Sequence, residues 1–210
     1  TGTITNNVNN VLVTANSIVI PGSTSGSVTL VSAAVAGSSI VTLPANMGTG
    51  TVAVQGVSTN IVTGTAQNST SGTSIDFPSI PSWVRRITIN FYENSTNGSS
   101  NRLVQIGTSS GITTSGYLSS GGYGGGATSS TTGFLIWIDS ASYALTGQMV
   151  LTLLTNNTWI SSHTGRVSNG QCAFGGGSSS SLGAALDRIR ITTVNGTDVF
   201  DGGTINIMYE

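Results

Sequence analysis

Residues 1–75 constrain the fold most, because this region contains no charged and no aromatic side chain. It consists of short β-branched runs separated by turn residues. These runs are "NVLVTA" (10–15), "SIVIPG" (17–22), "SVTLVSA" (27–33), "SIVTLPA" (39–45) and "TVAVQG" (51–56). Short runs at intervals of roughly 8–12 residues are typical of antiparallel strands. The region is therefore predicted to be β-structured.

The small side chains of these runs predict an interior that is shared between several copies of the chain. Val and Thr without aromatic residues bury little apolar area, and burial stabilises a fold by only about 25 cal/mol per Å². We therefore expect 1–56 to be an oligomeric shaft or adaptor, with 57–75 as a connector. A flexible Ser/Thr linker is the alternative. The positions expected to be buried between copies are Val11, Val13, Ile18, Ile20, Val28 and Leu30.

From residue 76 onward the sequence is typical of a globular β domain large enough for a core of its own. "RITINF" (86–91) alternates apolar and polar side chains with the period of a strand. "GFLIWID" (133–139) has the composition of a strand covered on both faces, and "NN" at 156–157 predicts a tight hairpin turn. The prediction for 76–210 is an all-β, antiparallel, jelly-roll-like sandwich of about seven or eight strands.

The charge content excludes two classes of partner. Charged residues are 6% of the chain and the net charge is −1, against roughly 25% charged residues in an ordinary soluble domain. A chain of this charge does not attract nucleic acid electrostatically. The apolar run "FLIWI" (134–138) is far shorter than the roughly 20 residues of a membrane span, so no membrane insertion is expected.

Catalysis is not expected, because the chain offers few groups that could carry it. The single histidine, His163, lies in the polar stretch "SSHTGR" and is interpreted as a solvated loop residue. A Ser-His-Asp arrangement needs a base that is positioned on the nucleophile and oriented by a third group, which a solvated histidine does not provide. Asp198 and Asp201 could form a glycosidase pair, but a small sandwich is not expected to supply the long groove.

One loop is a candidate metal site. "NGTDVFDGG" places Asn195, Asp198 and Asp201 close together, and Ca²⁺ favours clustered oxygen ligands. The loop lacks the denser spacing of an EF-hand, and Asn-Gly and Asp-Gly are also ordinary turn formers. Calcium is thus a possible cofactor and no other is expected. Cys172 and His163 have no zinc-site spacing.

Two long Gly/Ser-rich segments, 109–133 and 169–183, are candidate binding loops. Tyr117, Tyr123 and Phe174 would supply rigid contact area within an adaptable backbone, a combination typical of binding surfaces. Aromatic rings also stack on sugars, so a glycan is one possible ligand. The alternative is that these loops only connect strands.

The last 24 residues carry six of the thirteen charged residues, which suggests an active site, a metal loop or an assembly contact. In "DRIRIT" the side chains of Arg188 and Arg190 fall on one face and the isoleucines on the other. Glu210 falls on the outward face of "TINIMYE". Surface ion pairs contribute only about 0–1 kcal/mol but help to select partners. We therefore interpret these charges as an assembly contact.

Several segments resemble a known family. They are "VQGVSTNIVTGTAQ", "IPSWVRRITINF", "VQIGTSSGITTSGY", "NTWISS" and "DRIRITTVNGTDVFDGGTINIMYE". Together they resemble the recurrent C-terminal module of minor structural and tail-fibre-like proteins of tailed bacteriophages. The preceding "SVTLVSAAVAGSSIVTLPANMGTGTVAVQG" is similar to the segment that often stands before that module. The resemblance covers most of 28–210 and implies a homo-oligomeric virion protein.

The expected function is that of a homotrimeric fibre or fibre tip in the phage particle, which attaches to a glycan or protein receptor on the host surface. Its partners would be other copies of itself, other virion proteins and host glycans. The first alternative is a capsid decoration or head-fibre protein that binds the shell. The second is a carbohydrate-binding module.

Overall fold

The structure is a computed structural model that describes residues 12–13, 17–21, 27–31 and 61–210. The chain divides into two compact units, Thr1–Val52 and Ala53–Glu210. Each is described by itself.

The first unit contains a three-stranded antiparallel sheet. Its strands are β1 (Leu12–Val13), β2 (Ser17–Pro21) and β3 (Ser27–Val31), with β2 in the middle. The register pairs Ile18 with Leu30 and Ile20 with Val28, so expected apolar positions fall opposite one another. The three strands confirm the predictions for 10–15, 17–22 and 27–33. Val11, the side chains of the expected shaft positions, and the predicted strands 39–45 and 51–56 lie outside the described residues.

The second unit is all-β over its described residues. Its strands are β4 (Val62–Thr63), β5 (Gln67–Asn68), β6 (Ile75–Phe77), β7 (Arg86–Thr96), β8 (Arg102–Thr108), β9 (Gly111–Ile112), β10 (Tyr117–Tyr123), β11 (Gly126–Ser130), β12 (Phe134–Ile136), β13 (Leu145–Thr155), β14 (Thr158–Val167), β15 (Cys172–Ser179), β16 (Arg188–Thr193) and β17 (Phe200–Tyr209).

These strands form two antiparallel sheets. The larger has the order β11-β10-β15-β14-β13-β7-β17-β4, with β5 also paired to β17. The smaller has the order β12-β8-β16-β6, with β9 paired to β8. The chain crosses repeatedly between the sheets, and their inner faces share one apolar core. The predicted antiparallel sandwich is confirmed.

The period-2 alternation decides which residues enter the core. Ile87, Ile89 and Phe91 of β7 are buried, while Tyr92 is exposed. Ile205 and Ile207 are the corresponding buried residues of β17. The β-branched and aromatic composition of these strands suits a pleated, half-buried surface, which explains why their positions were predictable.

The predicted turn at 156–157 is confirmed. Asn156 and Asn157 have φ angles of 46° and 61°, and Thr155 pairs with Thr158 across the turn. These angles are those of a type I′ turn, which requires positive φ at both central positions, a conformation that Asn tolerates.

Residues 61–75 are part of the second unit, which differs from the predicted connector 57–75. Strand β4 pairs with β17 at Met208 and Tyr209, and β5 pairs with it at Thr204 and Ile205. These short pairings cover the edge that β17 would otherwise expose. Sequence analysis missed them because two-residue strands carry no periodic pattern.

The predicted loops 109–133 and 169–183 are largely strands, so the strand number was underestimated. The first contains β9, β10 and β11, and the second contains β15. Gly and Ser at these positions allow close approach to another strand. A Cβ on Gly121 would lie 3.1 Å from the carbonyl oxygen of Leu135 and from the amide nitrogen of Trp137.

Candidate functional site

A polar cleft of about 500 Å³ lies on the outer face of the smaller sheet. Strands β8 and β16 contribute Gln105, Arg190 and Thr192. The turn 194–196 follows the end of β16, residues 73–74 lie beside that end, and Thr114 and Thr132 complete the lining. The volume falls within the range of roughly 300–1,000 Å³ that small-ligand sites occupy.

Hydrogen bonds fix the walls of the cleft to its strands. The Gln105 Nε2 donates to the carbonyl oxygen of Thr132 at 2.8 Å. The Thr192 hydroxyl donates to the carbonyl oxygen of Thr73 at 2.8 Å, and the Thr193 hydroxyl donates to the Asn195 Oδ1 at 2.8 Å. The side chains that hold the cleft open are therefore held in place before any ligand arrives, which reduces the ordering cost of binding.

The Arg190–Asp76 ion pair borders the cleft. The two residues are cross-strand neighbours in β16 and β6. Arg190 donates from Nε at 2.8 Å and from Nη2 at 2.7 Å, one bond to each carboxylate oxygen of Asp76. This hydrogen bond with Asp76 raises the pKa of Arg190. The pair is bidentate, so its geometry is specific, and its charge is internally balanced.

The lining supplies both donors and acceptors. Hydroxyl groups come from Ser and Thr, amides from Gln105 and Asn195, and a small apolar surface from Leu103 and Val194. Hydroxyl and amide side chains can each donate and accept. This chemistry suits a neutral ligand rich in hydroxyl groups.

The structure corrects the interpretation of His163. It lies in strand β14 and is buried, not in a solvated loop. Neither ring nitrogen has a hydrogen-bond partner, and burial lowers its pKa to about 4. The imidazole is therefore neutral at pH 7. Alternation along "TWISSHTGRV" places His163 on the inner face together with Trp159 and Ser161.

Tyr117 and Tyr123 are buried in β10 and offer no exposed ring, which corrects their expected place in a binding loop. The Tyr117 hydroxyl donates to the carbonyl oxygen of Thr113 at 2.9 Å and accepts from the Ile106 amide at 2.9 Å. Burial raises the pKa of Tyr117 to about 12. Tyr123 contacts Asn169 and packs edge-on against Trp137. Tyr117 therefore links the larger sheet to β8 of the smaller one, and Tyr123 packs against the segments at 137 and 169.

Phe174 is exposed, as the binding-loop interpretation requires. It lies on the outer face of β15 in the larger sheet and is 53% exposed. Its ring covers Gly122 of the neighbouring strand, where a Cβ would come within 2.6 Å of the ring. The structure separates Phe174 from Tyr117 and Tyr123, because the tyrosines point into the core.

The residues Asn195, Asp198 and Asp201 organise a turn through hydrogen bonds. The Asn195 Nδ2 donates to the Asp198 Oδ1 at 2.6 Å, and the Ser100 amide donates to the Asp198 Oδ2 at 2.9 Å. The Ser95 hydroxyl donates to Asp201. Among the described residues, no group of three or more His, Cys, Asp or Glu side chains could hold a metal ion. In this structure the Asp198 carboxylate holds the turn, and the Asp201 carboxylate joins β17 to β7 through Ser95.

Sequence analysis missed Arg102, the first residue of β8. Its side chain is fully buried, and its Nη2 donates to the carbonyl oxygens of Tyr143 at 3.2 Å and Asn94 at 3.4 Å. Burial lowers its pKa to about 10, whereas Asp201 and Asp198 act to raise it. The two acids of the 195–201 turn thus support a buried cation. No local pattern marks an arginine at the start of a strand as buried.

The terminal charges expected to form an assembly contact lie in ion pairs within the chain. Arg188 pairs with its neighbour Asp187 at 2.7 Å, and Arg86 pairs with Glu210 at 3.1 Å. The alternation predicted for "DRIRIT" is confirmed, since Ile189 and Ile191 are buried.

Within the part of the chain that the structure describes, no helix is long and apolar enough to span a membrane. No family model, no curated protein and no solved structure matches this chain.

Proposed function

We propose that this chain is a homo-oligomeric fibre or fibre-tip protein of a tailed-phage virion. In this proposal the domain 61–210 attaches the particle to the host surface by binding a neutral glycan in the cleft of the smaller sheet. The sequence resemblance to tail-fibre-like proteins supports the virion context. The polar, preorganised cleft is the observation that carries the attachment role.

The charge of the cleft supports a neutral ligand. Arg190 is the cation in the lining, and its bidentate bonds to Asp76 balance its charge. An acidic sugar would have to compete with Asp76 for this guanidinium. A neutral sugar needs only donors and acceptors for its hydroxyl groups, which the Thr and Gln side chains provide.

The proposal assigns binding and no chemical step. A general base needs a pKa near the operating pH and a position within reach of its substrate. His163 meets neither condition, because burial lowers its pKa to about 4 and removes it from the surface. His163 is therefore given no catalytic role in this proposal.

A glycan array tests the attachment role. The wild-type chain is expected to bind neutral glycans. Thr132→Trp, which fills the cleft, should weaken that binding at least tenfold, since a ring would occupy the space of the ligand. Thr164→Trp is the matched control, because Thr164 is exposed on the larger sheet. Failure to bind any glycan, or equal binding by both variants, would contradict the proposal.

Light scattering tests the oligomer. The chain is expected to be a trimer, three times its 21.2 kDa mass. Val13→Asp should dissociate the copies, because each buried unpaired carboxylate costs several kcal/mol. The 61–210 domain should stay folded in this variant. A native monomer at micromolar concentration would rule out the fibre proposal.

A further inference from the structure

Two polar side chains at the centre of the cleft point away from each other. Gln105 of β8 and Arg190 of β16 are cross-strand partners, and both line the cleft. Directly opposite residues have Cβ atoms about 5 Å apart. Gln105 bonds to Thr132, which precedes β12 on one side of the pair. Arg190 bonds to Asp76 in β6 on the other side. The polar ends of the two side chains are therefore further apart than their Cβ atoms.

Arg190 retains hydrogen-bond donors for a ligand. Its guanidinium has five N–H groups, and Asp76 accepts one from Nε and one from Nη2. The Nη1 makes no hydrogen bond to any described residue. A bidentate pair fixes the relative orientation of the two groups, so Asp76 holds the guanidinium in place. Arg190 therefore offers oriented N–H groups to a carbonyl oxygen in the cleft.

Gln105 supplies the complementary acceptor. Its Nε2 donates to the Thr132 carbonyl oxygen at 2.8 Å. A carbonyl oxygen can accept only from the nitrogen end of a carboxamide, so this bond determines how the group is oriented. The Oε1 accepts no hydrogen bond within the part of the chain that the structure describes. Gln105 is only 7% exposed, and a buried acceptor without a partner is costly. An N–H group of a ligand would remove that cost.

An apolar surface lies beside this donor and acceptor, in the direction of the strands. Leu103 precedes Gln105 by two residues in β8, so the two side chains share a face about 7 Å apart. Val194 follows the end of β16, and its amide bonds to the carbonyl oxygen of Asn101, beyond Leu103. Both Leu103 and Val194 line the cleft, and Val194 is 51% exposed.

The geometry of a secondary amide matches this arrangement. Such an amide is planar and trans, so its N–H and C=O groups point in opposite directions, perpendicular to the chain that runs through it, as in a β-strand. With hydrogen bonds of about 2.9 Å on each side, its two partners lie about 8 Å apart. The groups attached to its carbon and nitrogen lie along the perpendicular direction, which in the cleft is the direction of the apolar surface.

We propose that the cleft recognises the acetamido group of an N-acetylhexosamine in the host glycan. In the complex the amide N–H donates to the Gln105 Oε1, and the amide carbonyl accepts from Arg190. The methyl group lies on Leu103 and Val194, and the sugar ring extends out of the cleft in the opposite direction. This inference rests on the proposed glycan binding, and it names the class of sugar that the cleft selects.

Calorimetric titration of the full chain with matched sugars tests the inference. The probes are tetrasaccharides of N-acetylglucosamine or glucose in the same linkage, and a second pair of N-acetylgalactosamine and galactose. The members of a pair differ at C2, where one has an acetamido group and the other a hydroxyl group. In a pair that binds, the acetamido sugar is expected to bind about tenfold tighter or more, because the hydroxyl analogue leaves Gln105 and Arg190 unpaired.

Two substitutions at the acetamido contacts should reduce this preference. Val194→Thr keeps the branched shape but introduces a hydroxyl group. It should weaken binding of the acetamido sugar about fourfold, the effect of one buried methyl group, and leave binding of the hexose unchanged. Arg190→Lys keeps a charge opposite Asp76 but loses the fixed fork of donors, so it should lower the ratio of the two affinities.

Ile160→Thr is the matched control. Ile160 is also β-branched and exposed, but it lies in β14 of the larger sheet. This variant should bind both members of a pair as wild type does. Urea denaturation of each variant shows whether the domain is still folded.

The outcomes separate this inference from the attachment role. Equal affinities within every pair that binds overturn the inference and do not affect the attachment role. A preference that survives both Val194→Thr and Arg190→Lys also overturns it, since the acetamido group then contacts other residues. If neither pair binds while other neutral glycans bind and Thr132→Trp abolishes that binding, the inference fails alone. Absence of all glycan binding contradicts the attachment role as well.

Discussion

Two buried basic side chains, His163 and Arg102, have different charge states in the same core. Burial lowers the pKa of both, to about 4 for His163 and to about 10 for Arg102. His163 has no hydrogen-bond partner on either nitrogen and is neutral at pH 7. The Nε and Nη1 of Arg102 also have no hydrogen-bond partner, but its Nη2 has two carbonyl acceptors. Arg102 stays charged because it starts from a much higher pKa and because Asp198 and Asp201 raise that pKa.

The comparison shows how this chain tolerates polar side chains in its core. His163, which loses its charge at low cost, lies without hydrogen-bond partners at the centre of the larger sheet. Arg102, which keeps its charge, lies near the acidic residues of 195–201. Burying an unpaired charge is costly, and Asp198 and Asp201 reduce that cost for Arg102.

The largest expected effect is that of removing the Arg102 side chain. Arg102→Ala should lower the free energy of unfolding by about 3 kcal/mol, because it leaves a cavity and removes the donor to Tyr143 and Asn94. Arg102→Met keeps most of the volume and should lose less than half as much. Urea denaturation at pH 7 measures both. Equal stability of Arg102→Ala and wild type would mean that the side chain does not stabilise the core.

The next effect is the pH dependence that His163 causes. Its pKa is about 4 in the folded chain, against the ordinary histidine value of 6.5. The unfolded chain therefore binds more protons between these values, and stability falls as the pH falls from 6.5 towards 4. Between pH 7 and pH 5 the loss should be about 2 kcal/mol.

His163→Gln, which does not titrate, is the comparison variant. Its free energy of unfolding should change by about 2 kcal/mol less than that of wild type between pH 7 and pH 5. Parallel pH profiles for the two proteins would show that His163 is not the neutral buried group described above.

The smallest effect concerns the acidic turn. Asp198→Ala removes the acceptor of the Ser100 amide and of Asn195 and lowers the negative charge near Arg102. A loss of about 1 kcal/mol is expected, typical of a single hydrogen-bond acceptor. Asp139→Ala, an exposed carboxylate outside the turn, should change stability by less than about 0.5 kcal/mol. If Asp198→Ala and Asp139→Ala lowered stability equally, Asp198 would not stabilise the turn or the buried Arg102.

The parts of the fold that sequence predicted are those with a two-residue apolar period. "RITINF" and "DRIRIT" alternate Ile with polar residues, and both are strands with buried isoleucines. The hairpin at 156–157 was predictable because few residues adopt positive φ. In each case one local rule determines the structure.

Other parts could not be predicted, because their cause lies elsewhere in the chain. Two of the inward positions of β10 are Ser119 and Gly121, which give no apolar period. They are small because residues 135–137 pack against them. His163 is buried, but its neighbours in the sequence are polar, so no apolar pattern predicts its burial. The cleft is lined by Gln105, Thr132 and Arg190, which are far apart in sequence. No sequence motif could therefore predict it.

The pairing of β4 with β17 has a consequence for synthesis. The domain's first described strand, Val62–Thr63, hydrogen-bonds with its last, at Met208 and Tyr209. The larger sheet therefore cannot be completed until residues 200–209 have left the ribosome, and such non-local pairing slows folding. Until then the edge of β7 that β17 will cover remains open to other strands. A nascent chain of this protein should consequently expose that edge until residues 200–209 have emerged from the ribosome.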